Sequence, residues 1–291
     1  MPAPRISIIL PARNEAQALH HLLPALRHVA STIAGGAEII VVDDGSEDAT
    51  AQLATAAGAI VVHHPYPMGN GAAVKSGARR ATGEILVFMD ADGQHDPADI
   101  PRLLQEMSQG YDMVIGARSR RGQANLWRHM GNWVYNRLAS IITARPILDL
   151  TSGYRACRAE QFRRFLALLP NGFSYPTTIT MAFLRSGYPV AFVPIEVAQR
   201  LGQSHLHPWR DGVRFLLIIF RIGALFSPLK VFAPIAMGFA ILGLGYYGFT
   251  YLESQRFTNM SALLLSTAVL VFLMGLLSEQ ITMLLYSRLD Q

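Results

Sequence analysis

Asp90 and Asp92 flank Ala91 at the end of the apolar run Ile85-Leu86-Val87-Phe88-Met89. Two carboxylates spaced i, i+2 can converge on one hard cation. Asp oxygens, water and a diphosphate are the surroundings that Mg²⁺ or Mn²⁺ prefers. An acidic turn after a strand is the other reading, since Asp and Gly are common turn residues. Three more polar stretches could hold a substrate. Pro11-Ala12-Arg13-Asn14-Glu15 opens a helical pattern, where it either contacts a base or ribose or caps the helix. Asp43 and Asp44 offer acceptors to a nucleobase or ribose, with Ser46 available to cap the next helix. Gly69-Asn70-Gly71-Ala72-Ala73-Val74-Lys75 reads as an anion cradle with Lys75 nearby. No strand directly precedes it, so it is not a dinucleotide fingerprint. His63-His64 reads as surface or packing.

These loops need a frame. Strand-length runs at Ile6–Leu10, Glu38–Val42, Ala59–Val62, Ile85–Met89 and Met113–Ile115 alternate with helical patterns. Those helices span Glu15–Val29, Asp48–Ala57, Gly71–Ala81 and Pro97–Gln109. The βαβα order implies an α/β fold with a mostly parallel sheet flanked by helices. Ile85–Met89 is apolar throughout, as a strand buried on both faces must be. All four polar loops then fall on one sheet edge, where such sheets place their ligands. Further helices are expected at Leu126–Ile142 and Thr177–Ser186, and a strand at Val190–Val193.

The last quarter is different. Val231–Leu252 is 22 residues without a formal charge, and Asn259–Ser278 is another 20. Each can cross a hydrocarbon core of about 30 Å as a helix, so a transmembrane hairpin is expected. Before it, His207–Phe226 sets Trp209, Phe215, Leu216, Ile219 and Phe220 against Arg210, Asp211, Arg214 and Arg221. That is the signature of a helix lying in the membrane interface. The expected division is a cytoplasmic domain over 1–204, an interfacial region over 205–228, and a hairpin with a short tail over 229–291. Met1–Arg5 leads into a strand rather than a signal peptide, and basic residues through Lys230 precede the first span. Both point to a multi-pass protein of the cytoplasmic (inner) membrane with its soluble part in the cytoplasm. Gly238, Gly243, Gly245 and Gly248 suggest close helix approach, compatible with a homo-oligomer, dimer or tetramer. The lone Cys157 excludes an internal disulfide and fits a reducing compartment.

Net charge is +5, split as −6 over residues 1–117, +8 over 118–164 and +3 over 165–291. An acidic half beside an Arg-rich middle suggests a metal site next to an anion site, since the Arg fork suits phosphate. No aromatic platform interleaves with the Arg cluster, which argues against nucleic acid.

Taken in order, Pro11–Glu15, Val41–Asp48, Gly69–Gly77 and Asp90–His95 resemble the motifs of family 2 glycosyltransferases with the GT-A fold. The likeness continues through Gly116-Ala117-Arg118, Thr151–Arg155, Phe173-Ser174-Tyr175 and Arg200–Ser204. With the hairpin, it is similar to the polyprenyl-phosphate branch, which holds dolichol-phosphate mannose synthases and bacterial undecaprenyl-phosphate sugar transferases.

The resemblance implies inverting transfer of a single sugar from a UDP- or GDP-sugar to undecaprenyl or dolichyl phosphate at the cytoplasmic membrane face. It implies Mg²⁺ or Mn²⁺ on Asp90, Asp92 and Gln94, with Asp92 among the catalytic residues. The nucleotide-sugar would meet Pro11, Arg13, Asn14, Glu15, Asp43, Asp44, Lys75, Asp90, Ala91, Arg200 and Ser204. The lipid phosphate would meet Arg118, Arg128 and Arg155. Asp149 resembles a position proposed as catalytic base in some relatives; orienting Arg155 or capping a helix is the alternative. Thr177–Thr180 stands where many relatives carry an acidic residue, so no catalytic acid is assigned there. Pro11-Ala12-Arg13 replaces a more usual aromatic before the Asn-Glu pair. Two other functions compete. A processive polysaccharide synthase would need a Gln-x-x-Arg-Trp signature, which Trp209-Arg210 lacks, and more spans. A non-catalytic membrane assembly protein on the same fold would not need the intact Asp90, Asp92 and Gln94.

Overall fold

Four β-rich segments at the start of the chain form the left half of one sheet. They are Ile6–Ala12 (β1), Ala37–Asp43 (β2), Ile60–His63 (β3) and Ile85–Phe88 (β4), all parallel. Met113–Arg118 (β5), Arg155–Arg158 (β6) and Val190–Ile195 (β7) complete it in the order β3-β2-β1-β4-β6-β5-β7. The structure is a computed structural model that describes residues 5–118, 126–172, 174–197, 220, 223–225 and 227–289. Contacts divide the chain into two units, Met1–Leu206 and His207–Gln291.

The helices of the first unit are Ala16–Thr32 (α1), Thr50–Ala56 (α2), Asn70–Arg80 (α3), Ile100–Ser108 (α4), Leu126–Thr143 (α5), Ala159–Arg164 (α6) and Tyr175–Arg185 (α7). Leu19, Leu22, Leu23 and Leu26 of α1 repeat at helical spacing and enter the core with Ile8, Leu10 and Val87 of the sheet. Each such side chain taken out of water contributes about 1.5–3 kcal/mol. β4 is buried at every position, as its unbroken apolar run requires.

β1 pairs with β2 on one side and β4 on the other. The chain therefore winds away from β1 in both directions, and the crevice beyond the carboxyl ends of β1 and β4 is a topological switch point. β6 runs antiparallel to both β4 and β5. No strand was expected there, because Arg-Ala-Cys-Arg has no apolar run. Its two inner residues, Ala156 and Cys157, are fully buried, and ladders from both neighbours hold it. An antiparallel strand starts where its parallel neighbours end. The loop feeding β6 is thereby delivered to the edge that carries Asp90 and Arg118.

The second unit contains helices Pro228–Ser254 and Asn259–Leu289, both long and apolar enough to cross a membrane. Most of their apolar side chains face outward, Ile241, Leu242, Phe249 and Leu277 among them. A core helix pair of a soluble protein would bury them. Gly243 meets Leu264 and Leu265, and Gly275 meets Phe232. Gly238, Gly245 and Gly248 have nothing within 4 Å, so of the expected four only Gly243 serves the hairpin contact. Glu279 Oε2 accepts from the Leu229 amide at 3.2 Å, satisfying a donor in the first turn of the first hairpin helix. The expected interfacial helix His207–Phe226 falls mostly outside the described residues.

Candidate active site

Asp90 lies two residues past β4, half-buried. Its nearest structural constraint is Gly153, where an added Cβ would come within 2.7 Å of Asp90 Oδ2 and 3.1 Å of Oδ1. Any larger residue at 153 would displace the carboxylate. Burial raises the Asp90 pKa; His95 opposes this, the Asp92 charge adds to it, and Arg155 and Arg118 oppose it. Asp92 Oδ1 accepts from the Gln94 amide at 3.1 Å, which tightens the turn. His95 is 7% exposed and stacks on Tyr154 at 4.9 Å, with its Nδ1 lacking a hydrogen-bond partner. Tyr154 in turn donates to the Asp96 carbonyl at 3.0 Å, so the segment after β4 is pinned by the residue next to Gly153.

Arg118 ends β5 and meets Asp149 through a two-point fork, Nε to Oδ2 at 2.7 Å and Nη2 to Oδ1 at 3.0 Å. Asp149 also accepts from the backbone of Arg118, Thr151 and Ser152. Burial works to raise its pKa, but the Arg118 hydrogen bonds and charge outweigh this and hold it below the usual carboxylate range. A carboxylate so engaged is a poor proton acceptor near neutral pH. Arg118 keeps part of its side chain exposed. The residue that Asp149 orients is thus Arg118 rather than Arg155.

Arg155 does not reach a phosphate. It is fully buried, with Nη1 donating to the Pro176 carbonyl at 3.1 Å and Thr180 Oγ1 at 3.0 Å, and Nη2 to the Ser152 carbonyl. A residue that begins a strand between two others has no route to solvent. Arg155 instead braces α7 against the loop carrying Gly153. Thr180 serves that brace and Thr177 accepts from the Tyr135 hydroxyl at 2.9 Å, which gives the acid-free stretch Thr177–Thr180 a packing role.

At the β1 and β2 ends, Asn14 and Glu15 are tied to the next loop. The Asn14 amide donates to Ser46 Oγ at 3.0 Å, Asn14 Oδ1 accepts from the Glu47 amide at 2.9 Å, and the Glu15 amide donates to Thr50 Oγ1 at 2.9 Å. Ser46 therefore bonds Asn14 and not the helix after it. Arg13 is exposed and Pro11 half-buried beside them. Asp43 and Asp44 are 6% and 5% exposed. Asp43 Oδ1 accepts from the Ser46 amide at 3.0 Å. Asp44 accepts from the Met68 and Gly69 amides, both at 2.8 Å, and from His64. Burial raises its pKa, but these bonds outweigh it and hold the carboxyl ionised.

The glycine-rich start of α3 is not an anion cradle. The Gly71 and Ala72 amides already donate to the Gly172 and Asn171 carbonyls at 3.3 and 2.8 Å. A Cβ at Gly71 would lie 2.0 Å from the Pro170 carbonyl oxygen, so glycine there permits backbone-to-backbone contact. Lys75 completes this junction by donating to the Leu169 carbonyl at 3.1 Å and to Asn171 Oδ1. Two of its three N–H donors are turned to the 169–172 loop rather than to the expected donor contact. Ala91 is 2% exposed with its methyl in the core, leaving only its backbone for a ligand. Arg200 and Ser204 lie outside the described residues, as does the Arg128 side chain.

The donor set at the β4 end suits a hard divalent cation. Among the described residues no group of three His, Cys, Asp or Glu side chains gathers. Asp90 and Asp92, joined by the Gln94 carbonyl, would leave coordination places for ligand oxygens. A cation would also relieve the Asp90–Asp92 repulsion that helps raise Asp90.

A mostly parallel sheet with a carboxylate pair past the end of β4 and an Arg–Asp fork at the end of β5, with β6 between them, fits a GT-A-type transferase domain. Residues 7–166 match the model of glycosyl transferase family 2, and the chain belongs to that family. Residues 227–284 match the model described as the GtrB C-terminal hairpin, which marks the second unit as a membrane anchor. The chain is similar to a dolichyl-phosphate hexose transferase of Haloferax volcanii, 31% identical over 209 residues, covering 71% of this chain and 89% of that one. It is also similar to the polyprenol monophosphomannose synthase of Mycolicibacterium smegmatis, 32% identical over 226 residues, covering 70% and 82%. The fold matches glucosyl-3-phosphoglycerate synthase from Mycobacterium tuberculosis, solved with Mn²⁺, UDP and glucosyl-3-phosphoglycerate. There the TM-score is 0.58 at 23% identity, covering 74% of this chain and 80% of that one.

Proposed function

We propose that this protein transfers one sugar from a nucleotide-sugar to a polyprenyl phosphate, with inversion, at the cytoplasmic face of the membrane. The observation that carries it is the pairing, on one sheet edge, of the Asp90–Asp92 carboxylates with an Arg118 fork locked by Asp149. An acidic site for a metal-bound diphosphate beside a fixed cation for a phosphate acceptor is what such a transfer needs. The anchor and the lipid-phosphate activities named for the relatives support the acceptor class.

Asp90, Asp92 and Gln94 would hold Mg²⁺ or Mn²⁺, which offsets charge on the departing nucleoside diphosphate. Pro11, Asn14, Glu15, Asp43 and Asp44 line the nucleoside side of the crevice. Arg118, fixed by Asp149, binds the lipid phosphate and aims one of its oxygens at the anomeric carbon. That oxygen forms the new bond as the sugar's bond to the diphosphate breaks on the opposite face. The phosphate is already anionic near neutral pH, so no residue has to remove a proton, and Asp149 acts as a positioning group. Lys230 in the first turn of the first hairpin helix and Arg288 in the last turn of the second, both outside the uncharged stretches, support the cytoplasmic orientation.

The test is a donor panel. Radiolabelled UDP- and GDP-sugars, undecaprenyl phosphate and Mn²⁺ should give a labelled lipid with at least one donor. No labelled lipid from any donor, with folded protein and metal present, overturns the reading.

A further inference from the structure

Each aspartate at the end of β2 faces one of two consecutive histidines at the end of β3. His63 Nδ1 lies 3.3 Å from Asp43 Oδ2 and stays exposed. His64 is 9% exposed, and its Nδ1 lies 2.7 Å from Asp44 Oδ1. The far nitrogen of the same ring, Nε2, is 2.8 Å from Ser76 Oγ on α3. With a carboxylate accepting at Nδ1, the neutral ring carries its proton there, and Nε2 accepts from the Ser76 hydroxyl. Asp44, His64 and Ser76 thus form one chain that links the ends of β2 and β3 to α3, buried at Asp44 and His64 and half-buried at Ser76.

The chain has a consequence for Asp44. Its Oδ1 receives two donors, the Met68 amide and His64, while Oδ2 receives one, the Gly69 amide. A carboxylate oxygen has two lone-pair directions. Oδ1 is filled, and Oδ2 keeps one acceptor direction at the carboxyl edge of the sheet. Met68 and Gly69 belong to the irregular stretch before α3, whereas His64 is held at both ring nitrogens.

We propose that His64 is a positioning residue for the donor, holding Asp44 in the rotamer whose Oδ2 accepts an N–H or O–H of the nucleoside. This rests on the proposed donor site. His64 touches no substrate; it acts through Asp44.

The test is calorimetric binding of UDP and of GDP, each with Mn²⁺, to the full chain in detergent, followed by steady-state kinetics. An Asn amide nitrogen takes the place of Nδ1, and a Gln amide nitrogen that of Nε2. His64→Gln and His64→Ala should weaken binding by about tenfold or more, the worth of one hydrogen bond to a charged group. His64→Asn should recover to within about threefold of the parent. The donor KM should follow the binding constant, with kcat and the lipid-phosphate KM unchanged. Parental binding by folded His64→Gln and His64→Ala overturns the proposal. So does equal loss in His64→Asn and His64→Gln, or a fall in kcat that tracks the folded fraction. If His64→Ala does not fold, the Asn-against-Gln contrast decides. A parent chain that binds neither nucleotide fails at the donor site itself, an outcome distinct from these.

Discussion

Gly153 faces Asp90 so closely that a methyl group there would sit 2.7 Å from the carboxylate. The loop before β6 and the loop after β4 are built against each other at the point where a metal would bind. Gly153→Ala should therefore turn or push Asp90 with little effect on the core. Turnover should fall at least about tenfold, about 1.4 kcal/mol in the barrier, with weaker Mn²⁺ binding by electron paramagnetic resonance. Unchanged Mn²⁺ affinity would remove the link between the two residues.

Asp92→Ala should abolish turnover while leaving the thermal midpoint within a few degrees of the parent. Chelation of the parent protein should stop the reaction, and Mn²⁺ or Mg²⁺ should restore it. Activity surviving in the variant would move the metal elsewhere.

Asp149 separates a positioning role from a base. If it only fixes Arg118, Asp149→Asn should raise the lipid-phosphate KM by about tenfold with a modest loss in kcat. A base would lose kcat alone, by about 10²–10⁴. Removing the side chain with Asp149→Ala should cost about 2–3 kcal/mol, less than for a fully buried pair because Arg118 is partly exposed.

The same residue sets a pH dependence. The folded-state pKa of Asp149 is depressed. Its contribution to stability is complete above the unfolded value of about 3.9 and disappears as pH falls through the lower folded value. Denaturation profiles should show the parent losing this increment below about pH 4, while Asp149→Asn loses less over the same window.

Arg155→Met should lower stability and leave the acceptor KM of the folded enzyme unchanged. The lost hydrogen bonds of a charged group are worth about 2–3 kcal/mol, or about 5–10 °C in Tm for a unit of this size. A selective rise in the lipid-phosphate KM would return Arg155 to the binding surface.

Much of this molecule was legible in its sequence. The alternation of apolar runs and helical patterns specified the parallel strands and flanking helices, because both periods follow from backbone geometry alone. A fully apolar run ending in Asp90-Ala91-Asp92 specified a buried strand with carboxylates at its open end. The uncharged stretches of the last quarter specified an anchor, because a bilayer core tolerates nothing else at that length. Tertiary structure decided what side-chain type cannot. Arg118 and Arg155 are the same residue in sequence. One ends a strand at the sheet edge and pairs with Asp149; the other begins an antiparallel strand between two neighbours and is buried. Lys75 beside glycines suggested a phosphate, yet a loop almost a hundred residues later takes two of its hydrogen bonds and those of the helix amides. His64 carried no local signal, since its partners lie 20 residues before it and 12 after. Periodicity is a local property of the chain, whereas the partner of a polar group is settled only when distant segments meet.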